Sequence, residues 1–148
     1  TYTMNHDDGQ STHDLDDADV ILVGVSRTSK TPTCIYLANR GLKAANVPIV
    51  PNIPLPSVFD TFDSDIGPLI VGLTTDPKRL IQLRRNRLRL LEQDTDMDYV
   101  DPNFVRSEVA TARRLFGERD WPVIDVTRRS IEETAATILQ YFERELHA

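Results

Sequence analysis

Residues 19–32 read DVILVGVSRTSKTP. The apolar run Val20-Ile21-Leu22-Val23 is continuous rather than alternating, the pattern of a strand buried on both faces. It ends at Gly24, and from Thr31 onward Ile35, Ala38, Leu42 and Ala45 recur at helical spacing. Pro32 suits a first helical turn, where its missing N–H is not needed. Strand, glycine-led loop and helix in that order nearly spell G-x-x-x-x-G-K-[ST], with Ser29 in the place of the second glycine. In such a loop successive backbone N–H groups and the helix N-terminus cradle phosphate oxygens. Gly24, Val25, Ser26, Arg27, Thr28, Ser29, Lys30 and Thr31 are therefore the candidate phosphate-binding residues. Lys30 would neutralise the phosphates, and the Thr31 hydroxyl is where a magnesium ion would be held. Serine serves at position 29 provided its backbone is not forced to positive φ. The bland reading is a strand-turn-helix with a solvated lysine, and the two flanks weigh against it.

Outward from this stretch the same alternation continues. Strands are expected at Val47–Val50, Pro68–Leu73 and Trp121–Val126, and helices at Pro77–Leu91 and Pro102–Phe116. The first of these helices opens on an Asp76-Pro77 N-cap pair. Ser130-Ile131-Glu132-Glu133 is a capping box for a last amphipathic helix carrying Ile131, Ala135, Ile138, Phe142 and Leu146. The expected fold is α/β: one three-layer, P-loop-containing domain over residues 18–148, with a mostly parallel sheet of four to five strands. Residues 1–17 are polar and acidic and read as an irregular lead-in. The chain opens on Thr1, so a preceding N-terminal region is expected.

At 148 residues, 40% hydrophobic and 27% charged, the chain has the composition of a soluble domain. Its net charge of -6 disfavours nucleic acid and anionic membranes as partners. No apolar run approaches the roughly 18 residues of a membrane span. The single cysteine, Cys34, suits a reducing cytoplasm and gives no zinc-type spacing.

The run Gly24–Pro32, continued by Ile35-Tyr36-Leu37-Ala38 and Ala45-Asn46-Val47-Pro48, resembles the pyruvate, phosphate dikinase regulatory proteins. So do His6-Asp7-Asp8-Gly9, Trp121-Pro122-Val123-Ile124-Asp125-Val126-Thr127 and Ser130-Ile131-Glu132-Glu133-Thr134-Ala135. Cys34 departs from the serine expected there, a change on the helix that bears on packing. The resemblance implies a bifunctional enzyme with pyruvate, phosphate dikinase as its protein substrate. One activity moves phosphate from ADP to a threonine of the dikinase. The other removes it with inorganic phosphate and releases pyrophosphate. The loop would hold ADP in one direction and phosphate in the other. The sister group acting on phosphoenolpyruvate synthase shares this chemistry, and a small-molecule P-loop kinase shares the loop. A homodimer is compatible with all three.

Two further groups are candidates. Asp7 or Asp8 could take the proton from the acceptor threonine or hold magnesium, against the plain reading of an acidic turn. Between Lys78 and Leu91 lie six basic residues and no acidic one. At 100° per residue Arg84 and Arg87 fall on the apolar face, and an inward arginine needs an anion. They are candidates to reach phosphate across the cleft; the competing reading pairs them with Glu92, Glu108 or an aspartate. Lys78, Arg85 and Arg89 read as a solvated face. Asp76 and Asp125 each follow a strand, where a magnesium-orienting carboxylate is expected, although Asp76 reads better as a cap.

Overall fold

The computed structural model describes residues 17–50, 53–55, 57–60, 67–90 and 100–146. Four strands, β1 (Val20–Gly24), β2 (Ala44–Pro48), β3 (Leu69–Thr74) and β4 (Val123–Asp125), form one sheet in the order β2-β1-β3-β4. All three pairings are parallel, with Val20 opposite both Ala44 and Leu69, and Gly72 opposite Val123. Four helices connect and cover them: α1 (Lys30–Asn39), α2 (Pro77–Leu90), α3 (Pro102–Glu118) and α4 (Ile131–Leu146).

The apolar run of β1 is buried throughout, and its side chains alternate between two cores. Ile21 and Val23 join Val47, Ile70, Leu80, Val105 and Phe116 on the side of α2 and α3. Val20 and Leu22 join Val71, Leu73, Leu37, Ala135 and Ile138 on the side of α1 and α4. The sheet is thus the middle of three layers, as expected for a continuous apolar strand. Each fully buried Val, Leu, Ile or Phe among them contributes about 1.5–3 kcal/mol relative to exposure.

Two packing details hold the α3 side together. A Cβ on Gly72 would lie 2.6 Å from the Phe116 ring, so the helix approaches the strand there through a missing side chain. Trp121 precedes β4 and closes the corner, its ring 5.6 Å from Phe59 and 6.3 Å from Phe116.

Boundaries differ most from the periodicity at the first helix, and β4 is shorter than the expected Trp121–Val126. The first helix stops at Asn39, and Ala45, expected on it, lies in β2. Gly41 takes φ 89°, a left-handed turn that ends the helix with Gly41 N–H donating to Ala38 O at 3.0 Å. The strand expected at Val47–Val50 consequently begins three residues earlier. The last helix begins as expected: Glu133 N–H donates to Ser130 Oγ at 3.1 Å, and Ser130 N–H reaches Glu133 Oε1 at 3.4 Å.

Candidate phosphate site

β1 leads through α1 to β2 on one side, and the chain then returns past β1 to β3 on the other. The loop after β1 therefore stands at the point where strand order reverses, above the carboxyl ends of parallel strands. In open α/β sheets this is where ligands bind.

The loop is tightly folded. A Cβ on Gly24 would lie 2.8 Å from Leu73 O and 2.8 Å from Thr28 Oγ1, so only glycine fits where β1 turns out of the sheet. Thr28 is buried, and its hydroxyl donates to Val25 O at 2.8 Å. Lys30 Nζ donates to the same carbonyl at 2.9 Å, which folds the lysine back over the loop with 5% of its surface exposed. Arg27 and Ser29 take φ 70° and 65°, with Thr28 between them outside the left-handed region. Alternation of left-handed with right-handed residues is one way backbone N–H groups are brought into anion-binding nests. Ser29 is the N-cap of α1 but makes no side-chain capping bond. Its positive φ corrects the condition set by the sequence: serine occupies a slot that glycine would take without steric cost. Thr31 follows in the first turn, half-buried.

The arginines of α2 separate. Arg84 is turned inward as expected, only 1% exposed, but it meets a carboxylate. Its two terminal nitrogens bond Glu108 of α3 at 2.6 and 3.1 Å, and Nη2 also reaches Ser26 O at 3.4 Å. The competing reading of an ion pair with Glu108 is thus the one found, and Arg84 stands behind the loop. Arg87 is exposed, contrary to its inward assignment, because α2 buries Leu80, Ile81, Arg84 and Leu88 and leaves residue 87 past the edge of that face. Lys78, Arg85 and Arg89 are exposed as expected. Asp7 and Asp8 lie outside the described residues.

Beside the loop, the ends of β3 and β4 are joined by polar side chains. Asp76 caps α2, its Oδ1 accepting Lys78 N–H at 3.2 Å. Asp76 N–H donates to Thr127 Oγ1 at 2.8 Å, and the hydroxyls of Thr75 and Thr127 lie 3.1 Å apart. Thr127 in turn donates its hydroxyl and its N–H to Asp125 Oδ1. Partial burial pushes the Asp125 carboxyl up, but those two hydrogen bonds, with Arg113 and Arg129 nearby, outweigh it and hold the group below the ordinary 3.8. Arg113 Nε donates to Thr74 Oγ1 at 3.0 Å, which brings a guanidinium to the end of β3. Sequence reasoning passed over Arg113 and Thr127; the D-x-T spacing of Asp125 and Thr127 is a local turn signal that could have found the second.

Among the described residues no group of three or more His, Cys, Asp or Glu gathers to hold a metal, and no helix is long and apolar enough to cross a membrane. A groove of about 850 Å³ opens between the segment after β2 and α3, lined by Ile49, Ile53, Phe104 and Glu108 among others. No residue of the 24–31 loop lines it.

The family model described as kinase/pyrophosphorylase matches residues 1–139. The chain belongs to the kinase/pyrophosphorylase family. Relatives in the family carry the provisional name pyruvate, phosphate dikinase regulatory protein. One from Paramagnetospirillum magneticum is 57% identical over 145 residues, covering 98% of this chain and 46% of the relative. One from Caulobacter vibrioides is 60% identical over 139 residues, covering 93% and 43%. A third, from Bradyrhizobium diazoefficiens, is 58% identical over 142 residues, covering 95% and 50%. The chain spans about half the length of these relatives. The three-layer fold and the family expected from the sequence are therefore the ones found.

Proposed function

We propose that this chain carries the phosphate-handling part of a bifunctional regulatory enzyme acting on pyruvate, phosphate dikinase. The observation that carries the reading is a glycine-led, lysine-bearing loop at the switch point of a parallel sheet, in a chain of the kinase/pyrophosphorylase family. Phosphoryl transfer asks a protein mainly for positioning and charge neutralisation, and such a loop supplies both. In the forward direction the hydroxyl oxygen of a dikinase threonine attacks the β-phosphorus of ADP. The bond to the α-phosphate breaks, AMP leaves, and the hydroxyl proton passes to a carboxylate, for which Asp7 or Asp8 is proposed. In the reverse direction an oxygen of inorganic phosphate attacks the phosphothreonine phosphorus. The threonine oxygen leaves, regains a proton, and pyrophosphate departs.

Within this reading Gly24 to Thr31 bind the phosphates and Lys30 offsets their charge. Magnesium, when bound, supplies further neutralisation of the phosphate oxygens, with Thr31 as its proposed protein ligand. The described residues offer it a hydroxyl and no carboxylate cluster. That donor set suits an ion held chiefly by phosphate and water.

The test mixes full-length protein, the dikinase and ADP labelled in its β-phosphate. Label on a dikinase threonine is expected, and Lys30→Ala should abolish it while leaving the thermal melt cooperative. No label with active dikinase would overturn the reading, and label on phosphoenolpyruvate synthase in a parallel reaction that offers it in place of the dikinase would reassign the target.

A further inference from the structure

Arg84 is among the largest fully buried side chains of the molecule, yet it ends in a permanent charge. Burying such a group is costly unless a counter-charge meets it with good geometry. Glu108 does so with both oxygens, leaving the guanidinium no freedom to swing. Nη2 carries two hydrogens; one serves Glu108, and the Ser26 carbonyl lies within reach of the other at 3.4 Å. α2 and α3 therefore meet the loop through one planar group. The peptides are trans, so a carbonyl and the N–H that follows it point in opposite directions. Holding Ser26 O toward α2 thus faces the N–H of Arg27 away from α2, at the residue where the left-handed turns begin.

We infer that Arg84 is a positioning residue for the loop, held by Glu108 and holding the Ser26 carbonyl, so that a buried ion pair sets the loop's shape before any ligand arrives. The inference rests on the loop being the phosphate site, as proposed above. Its energetic logic is preorganisation: peptide dipoles already aimed cost no reordering when the anion binds. Lysine at position 84 would keep the charge but not the fork that spans two partners. Glutamine at 108 would keep the shape but not the charge.

Two measurements on the full-length protein separate this role from ordinary core packing. The first is amide hydrogen exchange without ligand. In Arg84→Lys and in Glu108→Gln, exchange across residues 25–31 should rise about tenfold while the amides of β1 and β3 stay as in the parent, a local opening. The second is calorimetric binding of ADP and of inorganic phosphate, where the dissociation constants should rise about tenfold, the lower end of what loss of an outer-shell partner costs. The double variant should be no weaker than the weaker single one, since both act through one contact. A lowered melting temperature with unchanged loop exchange and unchanged affinity would overturn the inference. Should Arg84→Lys lose its cooperative melt, Glu108→Gln decides alone by the same criteria. If the parent binds neither ADP nor phosphate, the functional reading fails while the exchange measurement still judges the strut.

Discussion

Ser29 sits at φ 65°, where a Cβ crowds the backbone, and its hydroxyl caps nothing in return. A left-handed residue other than glycine costs roughly 1–2 kcal/mol. Glycine there would escape that cost but bring extra freedom to the unfolded chain. Ser29→Gly is therefore expected to stabilise the protein by about 0.5 kcal/mol net, read as a raised urea midpoint at unchanged slope; a lowered midpoint would mean that the hydroxyl makes a contact worth more than the strain. The strand, glycine-led loop and helix around these residues were legible because the continuous apolar run, Gly24 and the helical spacing follow one another in order. The loop's left-handed turns at Arg27 and Ser29 were not, since neither residue type announces positive φ.

At the scale of elements, the close passage of α3 over β3 depends on Gly72. Gly72→Ala would place a methyl 2.6 Å from a Phe116 ring that is itself fully buried. The ring must shift within a packed core, and overpacking of this kind costs about 1–3 kcal/mol. Chemical denaturation should show that loss; a change below a few tenths would mean the helix yields freely. Among the described residues periodicity located the four α-helices, because each buries one face, but not the short 3-10 helix Ser57–Asp60. It overran the end of the first one because Leu42 and Ala45 happen to continue the spacing past Gly41, where the backbone turns. It also placed Arg84 correctly and Arg87 wrongly, since the width of a buried face depends on what packs against it. The partner of Arg84 lies 24 residues away, a distance over which helical spacing says nothing.

Across the whole molecule, β3, β4 and the start of α2 are tied through Thr127, which bonds Asp125, Asp76 and Thr75. The Asp125 carboxyl titrates below its ordinary 3.8, so its charged form favours the folded state. That contribution is present above the unfolded value and disappears as pH falls through the lower, folded one. Asp125→Asn should thus be less stable than the parent at neutral pH, and the gap should close in acid below 3.8. Denaturant midpoints at a series of pH values check the sign, and a gap that widened in acid would reverse it. The ties from Thr127 to Thr75 and Asp76 are invisible to sequence patterns because only the sheet brings those residues together, whereas the Asp125 contact is local.

Trp121 is the sole tryptophan of the chain. It stands before the start of β4, among Phe59, Phe116 and the Arg119 guanidinium 5.8 Å from its ring. The 24–31 loop, by contrast, follows the end of β1, at the other end of the parallel strands. The tryptophan emission of this chain thus originates in the α3–β4 corner and reports when that corner comes apart. Occupancy of the loop needs a reporter of its own, on the far side of the sheet's length.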